Sequence, residues 1–215
     1  MRLGLVWCLM ALVPAAACQP GPPVRPAAAR PTIAVEEAEA WRSVASERDS
    51  AALDGLPDRW RKALAAGRAA GLGRRIAAEG DLLDPDARLA RGAPAPGTYR
   101  CRYVRPGGPK WVSSAQGFCY VGVEAGRLSL ATELRGLRLG GYLWELKGGE
   151  RLVFLGGSVP PGTKTAVAYG ETPARDAAGL VDRIGEFRYR LTLPEPEPAP
   201  GTGLTVVELV AAPRP

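Results

Sequence analysis

Residues 180–193 read Leu180-Val181-Asp182-Arg183-Ile184-Gly185-Glu186-Phe187-Arg188-Tyr189-Arg190-Leu191-Thr192-Leu193. Two apolar-rich runs flank Gly185-Glu186, the spacing of a tight hairpin. In the second run Tyr189, Leu191 and Leu193 fall on one face, and Arg188 and Arg190 fall on the other. That alternation predicts a strand with one face on a core. The same pattern recurs on both sides of this stretch. Tyr142 to Leu146 and Arg151 to Leu155 flank Gly148-Gly149, a second hairpin signal. Tyr99, Cys101 and Tyr103 alternate with Arg100 and Arg102, and Cys119, Val121 and Val123 share one face. Leu128 and Leu130 alternate with Ser129 and Ala131, and Leu204 to Val210 closes the series. About eight short strands joined by short turns predict an antiparallel meander, which a closed or partly closed small barrel would free of exposed edges. A twisted sheet laid against helices is the alternative.

Upstream of Ala93 the texture differs. Residues 32–92 read as helical, with Thr32 as a cap followed by Glu36 and Glu37, and with Pro57 near a helix start. Leu56, Trp60 and Leu64 form one i, i+4 stripe, which predicts packing against the rest of the protein. Asp84-Pro85 reads as a cap and first position of a short turn. The fold class is therefore α+β: a helical segment over 32–92, then a β domain over 93–213.

The chain has 215 residues, a formal net charge of +6 and 46% hydrophobic residues, an ordinary globular balance. Gly 27 and Pro 21 favour turns and short strands over a helix bundle. Histidine is absent, which removes Ser-His-Asp triads, Cys-His dyads and HExxH zinc sites. No Walker A loop, dinucleotide glycine motif or CxxC is present, so neither a cofactor nor a metal is expected.

Residues 1–17 read as a leader: Arg2, then the short apolar run Leu3 to Val13, then Ala15-Ala16-Ala17 before Cys18. Small residues before a cysteine resemble a bacterial lipoprotein signal, cut before Cys18 and lipidated on its sulfur, although Ala15 stands where such signals usually carry Leu. The Pro-rich stretch 18–31 then reads as a tether. Cys8 leaves with the leader and Cys18 takes the lipid. Cys101 and Cys119 remain, and an oxidising compartment makes them a disulfide pair. The expected location is the cell envelope, facing the periplasm, with Gln19 favouring the outer membrane. The expected partner is the membrane, through the anchor, with an envelope protein or a small ligand besides. In that compartment the basic charge meets anionic lipid and glycan, so nucleic acid is not an expected partner.

Several stretches resemble one bacterial family. They are Trp41 to Leu89, including Leu82-Leu83-Asp84-Pro85; Gly97-Thr98-Tyr99-Arg100-Cys101-Arg102; and Phe118-Cys119. Further along they are Phe154-Leu155-Gly156, Tyr169-Gly170, Arg175-Asp176-x-x-Gly179, Arg183-Ile184-Gly185, Arg188-Tyr189-Arg190-Leu191 and Glu208-Leu209-Val210. In this order they resemble the Gram-negative envelope family of domain of unknown function 4893. The resemblance spans about residues 41–211 and implies an exported, cysteine-paired domain. It supplies no activity. The chain departs from the family at Arg135-Gly136-Leu137-Arg138, where polar residues are usual, and at Tyr189, where a Trp is usual.

The densest charged cluster is Arg175, Asp176, Arg183 and Glu186. Its arginines suit a carboxylate or phosphate ligand, with Asp176 orienting a guanidinium; equally, Arg175-Asp176 caps a turn and Arg183 braces a hairpin. Glu145, Asp176, Asp182 and Glu186 are the carboxylates available to a His-independent hydrolase. Ser113-Ser114 near Lys110 read as loop polarity, and Asp81, Asp84 and Asp86 lack the calcium-loop glycine. Tyr99, Tyr103, Tyr120, Trp111 and Trp144 are the candidates to line a barrel interior, as packed core or as the wall of a ligand cavity. The sequence reads best as a non-enzymatic binding or interaction module with no catalytic residue. A small barrel carrying an apolar or anionic ligand is the first alternative and a hydrolase the second.

Overall fold

A computed structural model describes residues 40–195 and 203–213. The leader, Cys18, the tether and the Thr32, Glu36 and Glu37 cap lie outside the described residues. Four helices come first: α1 (Ala40–Val44), α2 (Glu47–Asp54), α3 (Leu56–Ala69) and α4 (Gly73–Ala78). Ser46 caps α2, its hydroxyl accepting from the Asp49 amide at 3.1 Å, and Pro57 sits in the first turn of α3. Asp84 makes the expected turn, its carboxylate accepting from the Asp86 amide. Among the described residues no helix is long and apolar enough to cross a membrane.

Nine strands follow: β1 (Gly97–Arg105), β2 (Val112–Ser113), β3 (Gly117–Glu124), β4 (Arg127–Leu134), β5 (Leu137–Glu145), β6 (Arg151–Ser158), β7 (Asp176–Gly185), β8 (Arg188–Pro194) and β9 (Leu204–Ala211). All pairings are antiparallel: β1 pairs with β3, β3 to β9 follow in chain order, and β1 also pairs with β9 from Tyr99↔Ala211 to Val104↔Val206. That seam closes an eight-stranded barrel, with the two-residue β2 as an extra strand beside the end of β1. The β5–β6 turn is built on Gly148 and Gly149, both at positive φ, where a side chain would be strained.

Strand alternation separates two cores. Inside the barrel lie Tyr99, Cys101, Cys119, Leu130, Phe154, Leu191 and their neighbours, so the lumen is filled. Eight strands enclose a space that side chains just fill. The facing glycines Gly141 and Gly156 make room there, since a Cβ on Gly156 would come within 2.7 Å of the Phe154 ring. Cys101 and Cys119 form a disulfide across β1 and β3, with Cα atoms 5.9 Å apart. The second core lies outside the barrel. There Trp41, Leu56, Trp60, Leu64, Leu82 and Leu83 pack on Val104, Val153, Leu155, Leu180 and Val206. The helices thus cover one side of the wall. At Gly67 a Cβ would meet the Pro106 carbonyl at 2.1 Å, so α3 lies directly on the chain leaving β1.

The aromatic residues named as lining candidates divide between these regions. Tyr99 and Tyr103 face the lumen as packed core, and Tyr99 makes an edge-on contact with Tyr189. Tyr120 faces outward and is exposed, while Trp111 and Trp144 pack against the helical core. Parity is the reason: Leu143 and Cys119 point into the lumen, so Trp144 and Tyr120, each one residue on, point out.

Candidate functional site

The charged cluster read from the sequence is drawn apart. Arg175 ends a 3-10 turn (Pro173–Arg175) just before β7, and Arg183 lies near the far end of that strand. Eight extended residues put them roughly 26 Å apart. Asp176 accepts from the Gly170 amide at 3.0 Å. Arg183 donates to the carbonyls of Gly185, Glu186 and Ala90, pinning the loop before β1 to the β7–β8 hairpin. Trp144 lies under the Arg127 guanidinium, 3.6 Å from the ring centre. The Tyr99 hydroxyl donates to the Ala95 carbonyl, and burial, with the neighbouring Tyr189, pushes its pKa up to about 12.

A different charged array emerges beneath the helices. Arg151, Asp182, Arg190, Glu208 and Arg102 stand at one level on β6, β7, β8, β9 and β1, each directly opposite the next. Their signs alternate. Arg151 holds Asp182 through two hydrogen bonds, of 2.6 and 3.1 Å, and Arg190 holds the same carboxylate at 3.1 Å. Glu208 takes Arg188 at 2.6 Å and Arg102 at 2.7 Å, and Arg102 reaches on to Glu79. Asp182 is 0% exposed and Arg190 1%. Arg190 also donates to the carbonyls of Asp81, Asp84 and Pro85 and lies 4.7 Å from the Trp60 ring centre. The stretches Leu82-Leu83-Asp84-Pro85 and Arg188-Tyr189-Arg190-Leu191 therefore meet at one side chain. Every member of this belt is consumed by its neighbours, so the belt fixes the helices to the barrel and offers no free acid or base. Asp182, one of the carboxylates considered for hydrolysis, is neutralised by two guanidiniums.

A second clasp holds the loop before β7. Tyr169 donates to Asp49 at 2.6 Å and accepts from the Ser46 amide at 2.9 Å. Burial of Asp49 opposes ionisation, but hydrogen bonds from Tyr169, Arg48 and Ser46 outweigh it and hold the carboxyl below its ordinary value. Burial, and then the Asp49 contact, raise the Tyr169 phenol.

Two surfaces stand out among the described residues. On the uncovered wall β3 presents Phe118 and Tyr120, and β5 presents Tyr142. Between them β4 presents Ser129 and Ala131, opposite Gly122 and Tyr120 on one side and Tyr142 and Gly140 on the other, with Glu133 opposite Phe118; Glu124 accepts from the Ser129 and Tyr142 hydroxyls. Phe118 is 50% exposed. The result is a shallow trough with aromatic sides. Glu124, Arg127, Glu133 and Arg138 project from the same outward-facing positions. Sequence reasoning missed this surface, although the signal was present. If Cys119 and Val121 face in, Phe118 and Tyr120 must face out.

The other surface is a pocket of about 640 Å³ at the barrel end where β1 and β8 finish. Leu137, Leu139, Ala177 and Leu193 make its floor, Ala51 and Ala52 of α2 its side. Arg48, Arg59 and Arg105 stand around it with Asp49, Asp176 and Glu195. Arg105 is paired with Glu195 at 2.7 Å and donates to the Thr205 hydroxyl at 2.9 Å.

Comparison with known proteins adds one finding. No curated protein and no solved structure matched the chain. A family model described as "Domain of unknown function (DUF4893)" matches residues 41–209, which takes in both walls, the charged belt and the disulfide. With most of its length matched, the chain belongs to the DUF4893 family.

Proposed function

We propose that this protein is an exported lipoprotein, held in the envelope by a lipid on Cys18, whose barrel serves as a non-enzymatic interaction module. The observation that carries this reading is the contrast between a filled lumen and a bare aromatic wall. A filled lumen leaves no interior volume for a carried ligand. Phe118, Tyr120 and Tyr142 around a floor of small residues are the composition of an interaction surface. The occupant is a protein. Glu124, Arg127, Glu133 and Arg138 interleave both signs across the wall, and a mixed pattern suits a complementary protein face better than a uniformly anionic bilayer. The leader, the Ala-Ala-Cys18 junction and the Pro-rich stretch after it support the anchor, and the disulfide suits an oxidising compartment. A periplasm-facing position follows from that reading, with Gln19 favouring the outer membrane.

Two experiments test it. Cys18→Ala releases the protein from the membrane fraction; retention there would sink the anchor. For the module, a photo-crosslinking amino acid is placed in cells at Phe118, Tyr120 or Tyr142, and at Glu171 or Glu186 as exposed controls. The module requires one protein adduct of the same mass from the three wall positions and none from the controls. Adducts to lipid alone, or equal labelling of both sets, would overturn it.

A further inference from the structure

We infer that the pocket at the barrel end is a binding site for a small amphipathic carboxylate. This site is independent of the protein-binding wall, which lies on β3–β5. Its volume of about 640 Å³ is within the range that holds small ligands, and the end of a barrel is a common place for them. The gap persists because the chain places small residues around it: Ala51 and Ala52 on α2, Ala174 before β7, and Ala177 within β7. Larger side chains at these positions would close it.

The floor and the rim ask for different chemistry. Leu137, Leu139 and Leu193 offer apolar surface. Leu139 and Leu193 also belong to the packed lumen, so a ligand lies across the barrel end and does not run down its axis. That geometry takes a short apolar body. On the rim, Arg48 donates through Nε and one terminal nitrogen to Asp49 and the Pro173 carbonyl. Its Nη1 has no partner among the described residues. Asp49 is fully engaged, one oxygen accepting from Arg48 and the other from Tyr169 and Arg48. Three arginines and three carboxylates, Asp176 and Glu195 among them, balance the charge of the rim; its unengaged charged donor is Arg48 Nη1, which pairs with a carboxylate on the ligand. Arg105 faces the pocket from the opposite side, on an inner strand face that is otherwise apolar, and is held there by Glu195.

The test is calorimetric titration of octanoate, with octylamine as the same tail bearing a cation. The full chain is used as cells accumulate it: in lipid nanodiscs if it purifies with membranes, in buffer if it does not, with empty nanodiscs as reference. Octanoate binds at one site per chain, and octylamine does not. Ala52→Trp fills the space and Arg48→Gln removes the guanidinium charge, each weakening octanoate by about tenfold or more. Circular dichroism reports whether each variant is folded, and the exposed Arg48→Gln keeps the test valid if Ala52→Trp is not. No octanoate binding, equal binding of octylamine, or binding indifferent to both folded variants would overturn the site. Because the readout uses neither a partner protein nor the anchor, its failure leaves the proposed module untouched.

Discussion

The two sides of the barrel wall are cut from the same alternating strands, yet they distribute charge and aromatic surface in opposite ways. On β6–β9 and β1 the outward positions carry a row of arginines and carboxylates, and the helices bury it. On β3–β5 the outward positions carry Phe118, Tyr120 and Tyr142, and the described chain leaves them exposed. A wall shaped by folding alone would do the reverse, because burying an ion pair costs desolvation that burying an aromatic ring does not. The covered side accepts that cost and gains a fixed docking geometry, with Arg190 gripping three carbonyls of the 81–85 turn. The bare side forgoes the burial of three aromatic side chains. The contrast places the architectural contacts on the covered side and is the ground on which recognition is proposed for the bare one.

Four perturbations break or sharpen that contrast. The largest effect belongs to Arg190→Met, which leaves the buried Asp182 with Arg151 alone and three carbonyls without a donor. A loss of about 3–5 kcal/mol in urea unfolding is expected. Next is removal of the disulfide by Cys101→Ala with Cys119→Ala, expected to cost about 3 kcal/mol by loop entropy and seen as a lower midpoint that reductant no longer changes. Third is Tyr169→Phe, which unclasps the loop before β7 from α2 at about 1 kcal/mol. Asp49 is held below its ordinary pKa, so its contribution is complete above about pH 4 and disappears as pH falls through the lower folded value. The gap between wild type and Tyr169→Phe therefore narrows as pH falls below about 4; a gap constant with pH would remove Asp49 from the account. Smallest is Phe118→Ser with Tyr120→Ser on the bare wall, within about 0.5 kcal/mol of wild type. A loss of several kcal/mol there would mean that another part of the chain covers the wall.

The barrel was legible because strand alternation and turn glycines are local signals. Tyr189-Arg190-Leu191 and Gly148-Gly149 report their own conformations, and the structure has its strands and its turn there. The assignment of Tyr120 and Trp144 to the interior failed for a different reason. Aromatic character was weighed above parity with Cys119 and Leu143, whose inward direction settles both. The charged belt was invisible in the sequence because its members come from five strands and meet only through register. Arg175 and Arg183 erred the other way: closeness in sequence suggested a cluster that an extended strand spreads along its length. The pocket depends on how α2 sits against the end of the barrel, a non-local fact that no stretch of residues spells out.

The seam between β1 and β9 carries a consequence for time. It joins Tyr99 to Ala211, over a hundred positions apart, so the ring cannot close until the chain has been delivered through Ala211. Until then β1 offers an open edge along Tyr99 to Val104, to which any extended peptide can add. Such distant pairing is slow to form. A chain cut short before Leu204 would keep both edges raw indefinitely. The arrival of β9 is thus the step at which a growing sheet with raw edges becomes a ring with its edges joined, and the interval before it arrives is when a chaperone or a protease has its opportunity.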